Sequence, residues 1–137
     1  MEHLNESEVT VNRLDSLFKS AFFSCSVDSD GDLKVEDSGI LIFIRIDPER
    51  KVITYNSLWR LKPGGLGSNE KKIAFANQLN NDYRLVRFSV PKPEALWCDY
   101  QLLYEGGINP FQIINSCRVF SRVCKAILED DTDNLIA

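Results

Sequence analysis

The sequence contains one histidine, His3, and its four cysteines form no C-x-x-C pair. Serine and cysteine nucleophiles in enzymes need an imidazole base beside them, so a single histidine in the first residues leaves that role without a candidate. No G-x-S-x-G motif is present either. We therefore expect that the protein is not an enzyme, with catalysis by carboxylates and lysines alone as the alternative.

The cysteines also indicate what the protein does not bind. Cys25, Cys98, Cys117 and Cys124 include no closely spaced pair that could begin a zinc site. Cys117 and Cys124 are seven positions apart, which on a helix is about 10 Å along the axis and too far for a disulfide. We expect buried free thiols in a reducing cytosol, with no metal and no cofactor.

Long apolar runs and an excess of basic charge are both missing. The longest apolar run, Ile40–Ile44, is far too short to cross a bilayer, so we expect a cytoplasmic protein without membrane contact. Sixteen basic residues stand against twenty acidic ones, which gives a net charge of −4. An acidic surface repels phosphate backbones, so we do not expect nucleic acid as a partner.

Two glycine-containing loops superficially resemble ligand sites. The segment Asp28–Asp32 suggests a calcium loop, but Leu33 and Gly39 occupy the sixth and twelfth positions, where glycine and glutamate belong. A tight turn between strands is the better interpretation. The segment Pro63–Ser68 lacks the lysine that follows the last glycine of a phosphate-binding loop. We interpret it as a flexible linker, with weak anion binding at the next helix as the alternative.

Periodicity and turn residues predict one domain over residues 1–128 and an acidic, flexible tail over residues 129–137. The expected elements follow the order α-β-β-β-β-α-β-β-α. We place them at 6–22 (helix, after an Asn5/Glu8 capping box), 23–27, 33–36, 40–46 and 52–61 (strands), 68–81 (helix, capped by Ser68), 84–90 and 96–104 (strands), and 110–128 (helix). This order indicates an α+β fold in which helices pack on an antiparallel sheet.

The junction before the last helix is the most informative stretch. Gly106 and Gly107 permit a sharp turn, Asn109 offers a capping oxygen, Pro110 fits the first helical position, and Gln112 falls at the third. The helix that follows carries a wide apolar stripe at spacings of three and four, typical of a helix that faces a core.

The predicted strand Ile40–Ile46 is apolar on both faces. Even positions are all isoleucine, while the odd positions include Leu41 and Phe43. An antiparallel strand with one wet face should alternate apolar with polar residues, and this one does not. Either the second helix covers the additional apolar face, or a partner or second copy does; the sequence leaves both open.

The leading functional hypothesis is therefore a non-enzymatic protein-binding module, chaperone-like or regulatory. Its candidate contact surface consists of Leu41, Phe43, Trp97 and Leu103.

The alternative is a small-ligand sensor whose pocket lies between the second helix and the sheet. Trp59, Gly64 and Gly65 are its candidate residues.

Several motifs resemble one known family. They include Asp30–Leu33 in the first hairpin, Leu58–Leu61 before the linker, Asn77–Asn80 in the middle helix, and Glu105–Pro110 before the last helix. Over about residues 14–128 the pattern resembles the YbjN family, described as proposed bacterial sensory-transduction regulators, which shares the architecture of type III secretion chaperones. The resemblance implies an acidic, soluble, dimeric protein without a cofactor, and it transfers no binding residue.

Overall fold

The computed structural model describes residues 3–137, and this part of the chain folds as three α-helices on one β-sheet. A short 3-10 helix, Glu6–Glu8, precedes the first α-helix. The helices are α1 (Val11–Ser20), α2 (Ser68–Asp82) and α3 (Pro110–Asp130), and the strands are β1 (Ser24–Val27), β2 (Leu33–Asp37), β3 (Ile40–Asp47), β4 (Val52–Arg60), β5 (Arg87–Lys92) and β6 (Ala95–Leu103). The α+β class and the element order predicted from the sequence are confirmed.

All six strands belong to one antiparallel sheet with the spatial order β1-β2-β3-β4-β6-β5. The first four strands form consecutive hairpins. The chain then crosses through α2, and β6 pairs with β4, which leaves β5 at the outer edge. β1 and β5 are thus the two edge strands.

The three helices pack on the same face of this sheet, which we call the covered face. Helix α1 lies over β1 and β2, α3 over β3, β4 and β6, and α2 over β5. Its central side chains are excluded from solvent, as shown by Ile42, Ile53 and Tyr55 at 0% exposure. The Tyr55 hydroxyl donates to the Ile113 carbonyl of α3 at 2.8 Å, which joins the middle of the sheet to the longest helix.

The N-cap residue and the first helical residue of α3 are those that the sequence predicts, but Gln112 forms no capping box with Asn109. The Asn109 side chain accepts a hydrogen bond from the Phe111 N–H at 2.9 Å, and Pro110 occupies the first turn. The members of its apolar stripe are all 0% exposed: Ile113, Cys117, Phe120, Cys124 and Ile127. The glycine turn before it is also confirmed, since Gly106 and Gly107 have φ of 82° and 102°.

The beginning of the chain packs against that same turn. Leu4 exchanges two backbone hydrogen bonds with Ile108, at 2.8 and 2.9 Å, and is 1% exposed. A Cβ on Gly107 would overlap the His3 ring, so this close approach of two backbone segments requires glycine there.

Helices α1 and α2 start differently from the expectation. The predicted first helix from Glu6 is interrupted, and α1 begins after Thr10, whose hydroxyl accepts from the Arg13 N–H at 3.2 Å. A threonine side chain competes with helical bonding in this way, which favours a new cap over a continuous helix. For α2 the N-cap is Gly67 at φ 83°, not Ser68, which lies within the helix.

The C-terminal residues also differ from the predicted solvated tail. Helix α3 continues to Asp130, and the Asp131 carboxylate accepts from the N–H groups of Leu135 and Ile136 at 2.7 and 2.8 Å. Ile136 forms a bridge with Leu61 and is 7% exposed. Asp131 and Asp133 therefore lie in a turn that folds the last apolar residues back toward Leu61.

Helix α1 ends with a bulky residue where glycine is usual. The N–H of Phe22 binds the Lys19 carbonyl and that of Phe23 binds the Phe18 carbonyl, both at 3.0 Å, which is the Schellman pattern. Phe18 and Phe23 complete it with a ring contact at 5.2 Å. Phe22 has φ 68° and is 97% exposed, so it adopts the left-handed conformation without any packing in return.

Phe22→Gly should raise the free energy of unfolding by about 0.5–1 kcal/mol, because glycine adopts φ near +70° without a Cβ clash. Urea denaturation followed by circular dichroism measures this. The matched control is Ala21→Gly at φ −92°, which should lower stability instead. A loss of stability with Phe22→Gly would contradict the assignment of backbone strain to this residue.

Candidate interaction surface

The second face of the sheet, which we call the open face, lies under no helix of residues 3–137. Side chains alternate between the two faces along each strand, and directly paired residues of neighbouring strands point to the same side. These two rules identify the side chains of the open face. Its larger apolar side chains are those of Leu41, Phe43, Val52, Leu58, Trp97 and Leu103. Of the two covers that the sequence left open, the structure excludes α2, which packs on the covered face, over β5, and does not shield these residues.

Four of these side chains form a cluster, the open-face patch, defined as Leu41, Phe43, Leu58 and Trp97. Leu58 and Trp97 are directly paired across β4 and β6, so their Cβ atoms are about 4.5–5.5 Å apart. Leu41 and Leu58 line the same surface groove, of about 200 Å³. Leu41, Leu58 and Trp97 are 45%, 54% and 41% exposed, and Phe43 is half-buried.

Leu103, the fourth residue of the predicted contact surface, is on the same face but apart from the patch. It pairs with Val52 and is 71% exposed. Leu103 is six positions after Trp97 along β6, which corresponds to roughly 20 Å. The structure therefore brings Leu41, Phe43 and Trp97 near one another and leaves Leu103 at the far end of the strand.

A fixed ion pair borders the patch on the side of the edge strand β5. Asp99 is 7% exposed although it belongs to the open face, and Arg87 binds it through two contacts of 3.1 and 3.2 Å. Asn56 pairs directly with Asp99 and with Phe43, and its amide donates to the Cys98 carbonyl at 3.3 Å. Bidentate pairs of this kind are rigid, so the apolar cluster has a preorganised polar border.

The open face does not share the acidity of the whole chain. By strand register it carries five cations and three carboxylates: Lys34, Arg45, Arg60, Arg87 and Lys92 against Glu36, Asp47 and Asp99. Because the net charge of the chain is −4, the acidic excess lies on other surfaces. The patch is therefore surrounded by mixed charge and does not repel an acidic partner.

The predicted small-ligand pocket does not form as one cavity. Gly64 and Gly65 line a groove of about 280 Å³ that the C-terminal residues Asp133–Leu135 complete. Trp59 lines a different groove, beside Leu58. The linker leads away from β4 toward α2, which separates the glycines from the tryptophan.

The segment Asp28–Asp32 is a turn, as predicted. The Asp28 carboxylate accepts hydrogen bonds from the N–H groups of Asp30 and Asp32 at 2.9 and 3.0 Å, so the side chain closes its own loop. The described residues 3–137 contain no group of three or more His, Cys, Asp or Glu side chains placed to hold a metal ion.

The four cysteines are free, and three of them are buried. Burial raises the pKa of the Cys117 thiol, and the pKa of Cys98 is raised by its contact with the Cys124 thiol and by burial. Cys25 is half-buried, and burial together with the Asp15 carboxylate raises its pKa to about 11. The thiols of Cys25, Cys98 and Cys117 are therefore protonated near neutral pH, which makes them poor nucleophiles.

Sequence reasoning missed Leu58 and Lys72. Leu58 was left out of the predicted contact surface, although its pairing with Trp97 makes it central. Lys72 is 2% exposed, and its ammonium group donates to the Pro93 carbonyl at 2.6 Å. The helix sequence gives no signal that Lys72 is buried. The position of Leu58, in contrast, follows from strand alternation once the β4–β6 pairing is known.

None of the helices in residues 3–137 has the length and apolar content that crossing a bilayer requires.

Comparison with known proteins gives two matches that agree. Residues 10–130 match the family model YbjN, described as "Putative bacterial sensory transduction regulator". A crystal structure of YbjN from E. coli, described as "a putative transcription regulator", superposes with a TM-score of 0.74 at 14% sequence identity, and the match covers 93% of this chain and 95% of that one. No curated protein was matched to the sequence.

The structural match, at this low identity, supports the shared fold, and the family model covers most of the chain. The resemblance seen in the sequence motifs is thereby confirmed. The family is described as a regulator and not as an enzyme. This chain belongs to the YbjN family.

Proposed function

We propose that this protein is a non-enzymatic regulatory module that binds a partner protein through the open-face patch. The observation that carries the proposal is an aromatic and aliphatic cluster, with Trp97 at 41% exposure, on a sheet face that lies under no helix of residues 3–137. Contiguous apolar clusters rimmed by polar groups are typical of protein interaction sites.

The composition of the patch supports a protein partner. Tryptophan and phenylalanine are enriched in the centres of protein interfaces, and arginine is enriched with them. Here Trp97 and Phe43 belong to the patch, on the strands at either side of Leu58, and Arg87 lies at the border with its guanidinium held by Asp99. The pair fixes the arginine geometry before binding, which lowers the entropy lost when a partner orders it.

The strand framework makes the patch rigid. Leu41, Leu58 and Trp97 come from three neighbouring strands, β3, β4 and β6, whose ladders continue on both sides. A partner segment therefore meets a preformed surface and does not have to organise loops. Covering one leucine-sized side chain is worth about 1.5–3 kcal/mol, so a few such contacts suffice for a regulatory complex.

The first test is substitution at Leu58. Leu58→Lys places a charge at the centre of the patch, and we expect the dissociation constant of the complex to rise about tenfold or more. Partners captured from the native cell by wild-type protein would be identified by mass spectrometry, and the affinity of each would be measured by calorimetry.

The matched control for this test is Leu85→Lys. Leu85 is 62% exposed and precedes β5, outside the open face. The control should bind partners as the wild type does, and both variants should keep the wild-type circular dichroism spectrum. Equal partner affinity for Leu58→Lys and wild type would refute binding through the patch.

The second test uses the intrinsic fluorescence of Trp97. The protein has two tryptophans, so Trp59→Phe leaves Trp97 as the sole indole reporter. A partner that covers the patch removes water from Trp97, and its emission maximum should shift to shorter wavelength as partner is added. The reciprocal variant, Trp97→Phe, keeps Trp59 and should show a much smaller shift. An unchanged Trp97 spectrum at saturating partner would contradict the proposal.

A further inference from the structure

The two edges of the sheet are protected to very different degrees. At β5 the outer edge contains Pro91 and Lys92, and the pairing with β6 is irregular between Ser89 and Lys92. Proline, lysine and bulges are the devices that stop edge strands from pairing with other chains. β1 has the sequence Ser24-Cys25-Ser26-Val27 and contains none of them.

The outer edge of β1 presents backbone donors and acceptors in a definite order. The Asp28 N–H donates to the Asp32 carbonyl at 2.9 Å, at the closed end of the β1–β2 hairpin. Hydrogen-bonded and non-bonded pairs alternate along an antiparallel ladder, so Ser26 and Ser24 bond to β2 while Cys25 and Val27 direct their N–H and C=O groups outward. No backbone hydrogen bond described for residues 3–137 uses these outward groups.

We propose that β1 pairs antiparallel with β1 of a second copy of this chain, with Cys25 opposite Cys25 of that copy. A two-fold axis perpendicular to the sheet keeps the covered faces of both copies on the same side. Because side chains alternate along a strand, two residues that oppose each other must then both be odd-numbered or both be even-numbered. The Cys25-centred register meets this condition. It also places the outward N–H groups of Cys25 and Val27 opposite carbonyls of the other strand.

The side chains in this register complement one another. Ser24 lies opposite Ser26 of the second copy on the open side, so no charges are opposed there. On the covered side Val27, which is 41% exposed, lies opposite Phe23 of the second copy. Contact with Phe23 would shield this valine from water.

Charge complementarity favours a second copy as the occupant. The acidic turn Asp28–Asp32 follows β1 at one end. At the other end is the cation Arg118, whose guanidinium lies 5.2 Å from the centre of the Phe23 ring, while Lys19 at the end of α1 is already paired with Asp15 at 2.9 Å. Antiparallel pairing places the acidic end of each strand against the basic end of the other, at both ends of the interface.

The paired assembly would be a continuous twelve-stranded sheet, twice the six strands of one copy. Both open faces lie on the same side, so the two open-face patches remain available for partners. This inference does not rest on the proposed partner binding, since it concerns purified protein alone. The interface is short, and we expect it to be weak and concentration-dependent.

The test is light scattering after size exclusion over a range of protein concentrations. The mass should rise from 15.6 kDa toward twice that value as concentration increases. The double variant Ser24→Lys/Ser26→Lys creates two Lys–Lys oppositions across the axis and should raise the dissociation constant of the dimer about tenfold. The variant Ser24→Lys/Ser26→Glu places opposite charges across the same axis and should dimerise at least as well as wild type.

These variants allow an effect on the folding of one chain to be distinguished from an effect on the dimer contact. Within one chain Ser24 pairs with Glu36 and Ser26 with Lys34, so the Lys/Glu variant also has favourable partners on β2. Ser89→Lys on the opposite edge strand is the control and should not affect the mass. Backbone amide exchange gives an independent readout, because the Cys25 and Val27 amides should become protected only at high concentration.

Two results would overturn the proposal. One is a constant monomer mass, with Cys25 and Val27 amides unprotected at every concentration. The other is a dimer that the double lysine variant leaves unchanged, which would place the contact elsewhere.

Discussion

The burial of three amphipathic helices against a single face of one sheet is the constraint on which this structure depends. Helix α3 provides most of the cover, through a stripe from Ile113 to Ile127 that is fully excluded from water. Burying a leucine-sized side chain contributes about 1.5–3 kcal/mol, so a stripe of this length outweighs any single polar contact. The hydrogen bond from the Tyr55 hydroxyl to the Ile113 carbonyl then fixes where α3 crosses the sheet.

This arrangement has a consequence for the second face. The six-stranded sheet has two faces, and the helices cover only one of them. The strands β3, β4 and β6 nevertheless carry Leu41, Leu58 and Trp97 on the uncovered side. Apolar side chains on a solvent-exposed sheet face do not stabilise the isolated chain by burial. This is the physical reason for interpreting them as a surface for a partner.

The element order and the start of α3 could be predicted from the sequence, because they depend on local chemistry. Asn109 and Pro110 specify a helix start by themselves, and glycine, aspartate and proline mark the hairpin turns. The side of the sheet on which α2 packs could not be predicted, because it depends on strand order. Only the pairing of β5 with β6 places Phe88 on the covered face, where the ring of Tyr83, at the end of α2, lies 6.0 Å from the Phe88 ring.

The same distinction explains the C-terminal residues and the candidate site. Four acidic residues within residues 129–133 predicted a solvated tail, but the Asp131 carboxylate binds two later N–H groups and lets Ile136 pack beside Leu61. Strand alternation places Leu41 with Phe43 and Trp97 with Leu103, and the register through β4 places both pairs on one face. The separation of Leu103 from the others, and the central position of Leu58, required the register between β4 and β6.

The central claim is that one sheet face is bare in the isolated chain, and nuclear magnetic resonance with a soluble paramagnetic probe tests it most directly. In dilute monomeric protein, the probe should broaden the signals of the Leu58 methyl groups and the Trp97 indole ring. The methyl groups of Ile42 and Ile53, which are 0% exposed on the covered face, should keep sharp signals. Equal protection of all four residues from the probe would contradict the account.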